Sequence, residues 1–268
     1  MKVDSPFGPA VESVPLPRSP LAVVVAQVRF PLVAAIAEQQ FIAPFQERIR
    51  STYSDLKAEM ETQVTFTPDG VQVKEGSRVW RFTESDGPWE VTLSSEFLAL
   101  STRSYTNRDD FLTRLGVLLA ALAEWIGPRT VRRFGVRYID RVIESEATRE
   151  TMTKLVRPEV LGTTAVELPD SVGLNHSLTE CEYQFEEDPP SSLRTKWGFL
   201  PANATFDPAV EPANEDSWVL DVDCSHNERP FDSEAILSAG RSYTDRIYRF
   251  FRWAVKEEFL THFGATQS

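Results

Sequence analysis

The order of apolar segments along the chain constrains its fold most strongly. A valine-rich run between two prolines, PLAVVVAQVRFP at 20–31, is typical of a strand buried on both faces. The next segment repeats Ile42, Phe45, Ile49 and Leu56 at helical spacing. Pro-Asp-Gly at 68–70 and Asp-Gly at 86–87 then separate β-rich runs and predict hairpin turns. A strand, a helix and an antiparallel meander of three or four strands are therefore expected in this order.

The most regular helical pattern begins after Asn107, an N-cap candidate with Asp110 three residues on, and ends at Gly127-Pro128. The strand TVRRFGVRYIDRVIES at 130–145 should follow it, with apolar residues on one side and arginines on the other. The resulting order, β-α-β-β-β-α-β, is the split βαβ arrangement of ferredoxin-like folds with an extra hairpin strand.

The second half repeats this theme more loosely. A short helix around 152–162 leads into strands near 172–186, 193–200 and 217–225, and a long helix capped by Asp232 closes the chain. The pattern predicts an α+β fold with antiparallel sheet packed by helices. Two ferredoxin-like pseudo-repeats and one curved sheet around the C-terminal helix are both compatible with it. The expected divisions are a flexible leader at 1–18, an N-terminal α+β half at 19–150 and a C-terminal half at 151–268, with one continuous domain as the alternative.

The stretch WVLDVDCSH at 218–226 combines residue types that bind metals or carry catalysis. In a strand, however, Asp221 and Asp223 share one face, whereas Cys224 lies on the other. A zinc site from His176, Cys181, Cys224 and His226 would have spacings that match no standard pattern. We therefore expect neither a metal site nor a catalytic thiol here, and predict no cofactor.

Arginines recur at every fourth position of the strand at 130–145. Arg133, Arg137 and Arg141 share a face, and with Tyr138 they are the candidate residues for binding an anionic ligand. Asp221 and Asp223 are the candidates either for pairing with this row across the sheet or for binding a cation. Arg241, Arg249, Arg252 and Lys256 similarly follow one side of the last helix, which is expected to be its solvent face.

Charge and missing motifs exclude several classes of function. The formal net charge is −12, and residues 151–268 carry ten basic against twenty acidic side chains. This imbalance opposes general attraction to nucleic acid or anionic lipid. The two longest apolar stretches, LAVVVAQVRF at 21–30 and FLTRLGVLLAALAEWIG at 111–127, are shorter than the roughly 20 residues of a transmembrane helix and contain arginine. No phosphate-loop, dinucleotide-binding, zincin or G-x-S-x-G motif is present, so no catalytic residue is predicted. With two cysteines and no signal-peptide core, a cytoplasmic protein is expected.

Several blocks carry a resemblance to a known family. In order, they are SPLAVVVAQVRFP, FQERIRSTYSDL, the segment from WRFTESDGPWEV to RDDFLTRL, RRFGVRYIDRV, VRPEVLG, LDVDC and YRFFRWAVKEEF. The chain resembles, over most of 19–263, a family of sporadically distributed, uncharacterised bacterial and archaeal proteins of similar length. The resemblance implies no activity or site residues. Patchy occurrence is typical of accessory genes, such as those of toxin–antitoxin, phage-defence or small biosynthetic cassettes.

These observations favour a non-enzymatic, cytoplasmic protein that binds a partner encoded nearby, as an antitoxin, immunity factor or defence-system subunit does. An acidic surface suits masking a basic partner. One alternative is a small-molecule binding protein with a pocket between the sheet and the C-terminal helix. Another is an enzyme acting on RNA or nucleotides on a ferredoxin-like scaffold. Homo-oligomerisation is compatible with each of them.

Overall fold

The computed structural model describes residues 5–67, 70–187 and 190–266, and over 61–67 and 70–77 it describes the backbone alone. Within these ranges the chain forms nine strands and five α-helices, which confirms the α+β class. The strands are β1 (Leu21–Arg29), β2 (Asp55–Thr67), β3 (Gly70–Thr83), β4 (Trp89–Ser94), β5 (Phe97–Thr102), β6 (Thr130–Ile143), β7 (Ser177–Phe185), β8 (Ser191–Leu200) and β9 (Ser217–Pro230). The helices are α1 (Gln39–Ile49), α2 (Arg108–Ala121), α3 (Arg149–Leu155), α4 (Ser233–Ala254) and α5 (Glu257–His262). The expectation that Leu56 belongs to the first helix was wrong, because α1 ends at Ile49 and Leu56 lies in β2.

The strands form one antiparallel sheet in the order β2-β3-β4-β5-β1-β6-β9-β8-β7. Backbone bonds from Glu144 to Asp216 and from Phe231 to Arg129 connect opposite ends of β6 and β9, so this central pair is also antiparallel. The sheet is larger than a ferredoxin-like unit, which has four strands. Of the predicted hairpin turns, Asp86-Gly87 lies between β3 and β4, whereas Pro68 and Asp69 lie outside the described residues.

The chain divides into two compact units. The first comprises residues 1–24, 136–225 and 242–268, and the second comprises residues 25–135 and 226–241. In the second unit, the Asn107 side chain accepts a 2.9 Å hydrogen bond from the Asp110 backbone N–H, so the predicted cap of α2 is confirmed. Asp232 caps α4 in the same way, by accepting from Glu234 N and Ala235 N.

The first unit has its core around the C-terminal part of α4. Ile247, Phe250 and Ala254 are at most 1% exposed, as their helical spacing predicts. The Phe250 ring contacts Trp197 of β8 and Tyr183 of β7. Leader residues belong to this unit as well, since Tyr248 Oη accepts a 2.8 Å bond from Val14 N.

The helices also bear on the expectation about membranes. Among the described residues, none of the helices combines the length and apolarity that crossing a bilayer requires.

Candidate functional site

Strand β9 sorts the reactive side chains of 218–226 between the two faces of the sheet. Asp221 and Asp223 point to the face that carries Arg137, whereas Cys224 points to the face covered by α4, where Arg246 lies 3.6 Å from its sulfur. Burial raises the Cys224 thiol pKa to about 12, although Arg246 opposes this shift. The thiol is thus protonated and unreactive at neutral pH.

Arg137 is the central residue of a charged cluster on the face of the sheet opposite α4, which we call the outer face. Its Nε and Nη2 each donate a 2.7 Å hydrogen bond to one carboxylate oxygen of Asp221, and Nη2 also lies 2.8 Å from Asp207. The Asp221 side chain is only 6% exposed. Burial raises the Asp221 pKa and Arg137 opposes the shift, while the neighbouring Asp223 and Asp207 carboxylates add to it. The arginine therefore holds together a group of like charges that would otherwise repel one another.

Arg141 fixes the loop at 201–216 against the same face. Its Nε donates to Ser217 Oγ at 3.1 Å, and its other nitrogens donate to the backbone carbonyls of Glu211 and Ala204. Asp207 comes from this loop too. The guanidinium groups of Arg137 and Arg141 are thus engaged by carboxylates and carbonyls of the protein itself.

Arg133 lies on β6 beside Gly135. An added Cβ at Gly135 would come within 2.7 Å of Arg133 Nη1, so the glycine leaves the space that this guanidinium occupies. Burial, together with the charges of Arg229 and Arg133, lowers the His226 pKa to about 4 and keeps the imidazole neutral.

Tyr138 is the remaining residue of the predicted anion-binding group. It is half-buried and alternates to the opposite face of β6 from Arg137. The strand therefore does not bring the tyrosine hydroxyl and the guanidinium groups of its arginine row to one face.

Charges alternate in sign across the three strands β9, β8 and β7. One row of register partners runs Asp221, Lys196 and Glu180, and the next runs Asp223, Arg194 and Glu182. Lys196 and Arg194 contact the two glutamates of β7 at 3.4–3.6 Å. Strand β7 forms the edge of the sheet, so the rows end there on exposed acidic side chains.

Asp140 is a buried carboxyl that sequence reasoning missed. It is 6% exposed, and it lies an even number of residues from Val136 and Val142 on β6. Its side chain therefore points to the same apolar face as these two valines. Burial raises its pKa from 3.8 to about 7. The parity of position 140 with these valines was the signal that could have identified it.

A pocket of about 340 Å³ lies where α4 ends. The residues around it are Arg157, Pro158, Glu159, Arg252, Val255, Lys256 and Glu257. The prediction of a solvent face for Arg252 was wrong, because its side chain is only 7% exposed. Lys256 does not extend the row along the helix either, since α4 stops at Ala254 and Lys256 is the residue that precedes α5.

Comparison with models of known protein families and with curated proteins finds no match for this chain. Within the described ranges, no three His, Cys, Asp or Glu side chains are grouped so that they could hold a metal ion.

Proposed function

We propose that the chain is a non-enzymatic, cytoplasmic protein-binding factor of an accessory gene cassette, of the antitoxin, immunity or defence-subunit type. The observation that carries this proposal is the acidic edge strand β7, at which the charged rows of the sheet end. The resemblance of the sequence blocks to a patchily distributed family supports the assignment to a cassette.

An edge strand offers unpaired backbone groups to which an extended segment of another protein can add as a further strand. Along one face of β7, the side chains of Leu178, Glu180, Glu182 and Gln184 are exposed. A strand added beside them would place its own side chains directly opposite, and each Lys or Arg facing a glutamate would contribute roughly 0.2–1 kcal/mol. The preferred partner is therefore an extended segment with basic residues at alternate positions.

The same glutamates discriminate among partners. Charges on an edge strand repel copies of the same strand and so prevent edge-to-edge aggregation. A second copy of β7 would bring like charges together, whereas a basic strand would neutralise them. We propose on this basis that β7 binds a different protein rather than another copy of this chain.

The order β4-β5-β1-β6 supports a further proposal about the fold. In this order β1 lies between β5 and β6, and helices α1 and α2 precede β2 and β6. We propose that these strands form an expanded ferredoxin-like unit. An enzyme acting on RNA receives less support, because Arg137 and Arg141 are occupied by groups of the protein itself.

The test is affinity capture from the native host with three forms of the tagged protein. These are the wild type, the charge-reversed Glu180→Lys/Glu182→Lys and the control Glu38→Lys/Glu124→Lys, which makes the same change of net charge at exposed positions outside β7. We expect wild type and control to recover one basic protein in near-equal amount, and the β7 variant to lose it while its circular dichroism is unchanged.

Recovery of this chain alone by the wild type would refute the proposed function. Equal recovery of the basic protein by all three forms would refute the role of β7.

A further inference from the structure

Two backbone contacts position the pocket at the end of α4. Val156 and Val255 form an antiparallel bridge, with Arg157 N donating to Ala254 O at 2.9 Å and Lys256 N donating to Leu155 O at 2.8 Å. This antiparallel bridge places Arg157 and Lys256 beside the end of α4, next to Arg252 in its last turn. Three basic side chains therefore surround one concave site, together with two glutamates.

The guanidinium of Arg252 is only partly used. Its Nη2 donates a 2.9 Å hydrogen bond to Glu257, whose side chain is 65% exposed. Its Nε and Nη1 are buried and have no hydrogen-bond partner among the residues that the structure describes. Buried guanidinium donors left unpaired are costly, and this side chain is suited to binding two oxygens of one anion in parallel. A single exposed carboxylate oxygen on Nη2 satisfies only part of that capacity.

The remaining walls define the rest of the ligand. Val255 is buried and Pro158 is apolar, and the stems of Arg157 and Lys256 add aliphatic surface. Arg157 and Lys256 are themselves held by backbone carbonyls, of Trp253 and Thr153 respectively. A volume of about 340 Å³ is within the range of small-molecule sites.

We infer that this pocket binds a small organic carboxylate with an apolar body, whose carboxylate replaces that of Glu257 on Arg252. Glu257 thus holds on Arg252 the position that the carboxylate of the ligand takes. The inference is independent of the proposed protein partner, because β7 contributes no residue to the pocket lining.

The test is a ligand-observed NMR titration of the full chain with benzoate, and with benzamide as its uncharged analogue of the same shape. Glu257→Gln frees Arg252 from its resident carboxylate and should tighten benzoate binding about threefold or more. Glu258→Gln is the matched control, because Glu258 is exposed, adjacent in sequence and outside the lining of this pocket. Lys256→Gln should weaken binding by a similar factor, since it removes one of the three cations.

Binding of benzoate but not benzamide, tightened by Glu257→Gln and hardly changed by Glu258→Gln, would support the site. Equal tightening by the two glutamine variants would show that net charge alone is responsible, and would overturn the inference. So would equal binding of benzamide, binding of inorganic phosphate as tight as that of benzoate, or no binding of benzoate within its solubility.

Discussion

Replacing the buried carboxyl of Asp140 by the neutral amide of asparagine should remove a pH-dependent loss of stability from the protein. Asp140 is 6% exposed on the apolar face of β6, and burial raises its pKa from 3.8 to about 7. Between these two values the folded protein holds a proton on Asp140 that the unfolded chain has already released. Stability therefore falls as the pH rises from about 4 to about 7, and stays at the lower level above that.

The size of this loss follows from the separation of the two pKa values. Each pKa unit corresponds to about 1.4 kcal/mol, so a separation of about 3 units gives about 4 kcal/mol. The amide that replaces the carboxyl carries no titrating group, so its own cost of burial is the same at every pH. The change in unfolding free energy caused by Asp140→Asn should consequently become about 4 kcal/mol more favourable between about pH 4 and about pH 8.

The assay is urea unfolding at pH values from about 4 to about 8, followed by the fluorescence of the six tryptophans. Asp170→Asn, at an exposed position, is the control for loss of one carboxylate. His226 acts in the opposite direction, because its lowered pKa of about 4 makes stability rise with pH up to about 6.5. In Asp140→Asn this rise should no longer be offset. An effect of Asp140→Asn that is the same at both ends of this pH range would refute the reasoning.

Two further predictions concern the surroundings of Arg137 and Arg133 on β6. Asp221→Asn should lower the free energy of unfolding by about 2–4 kcal/mol in urea, because it breaks a buried contact of two hydrogen bonds with Arg137. Asp207→Asn, which breaks one contact with Arg137, should lower it by about 1 kcal/mol. Equal losses would contradict this ranking. Gly135→Ala should displace the Arg133 guanidinium and raise the His226 pKa in an NMR titration, and an unchanged His226 pKa would show that Arg133 does not occupy that space.

Much of the fold could be predicted because local rules determine it. The cap at Asn107 and the apolar row of α4 depend on residues close together in sequence, and both are present in the structure. Strand alternation likewise places Asp221 and Asp223 on one face and Cys224 on the other.

The partners across the sheet could not be predicted, because they depend on which strands are neighbours. Nothing in the sequence near Arg137 indicates that Asp207, seventy residues away in a loop, contacts it. Arg252 shows the same limit for helices, since its spacing suited a solvent face. The antiparallel bridge between Val156 and Val255 lies beside it, and that bridge joins segments about a hundred residues apart.

The buried ionisable groups of this protein fall into two classes, those that become neutral on burial and those that stay charged. Arg252 belongs to the second class, so its buried nitrogens call for hydrogen-bond acceptors. Asp140, Cys224 and His226 can each be neutral at physiological pH, and the shifts of their pKa values favour the neutral form. Arginine cannot become neutral in this way, since its guanidinium stays charged in proteins. Arg246 accordingly donates to a serine and a glutamate. Arg252 has one carboxylate on Nη2, and within the described part of the chain its other two nitrogens are buried without a hydrogen-bond partner. A permanent charge left incompletely paired beside a pocket is the feature that an anionic ligand would complete.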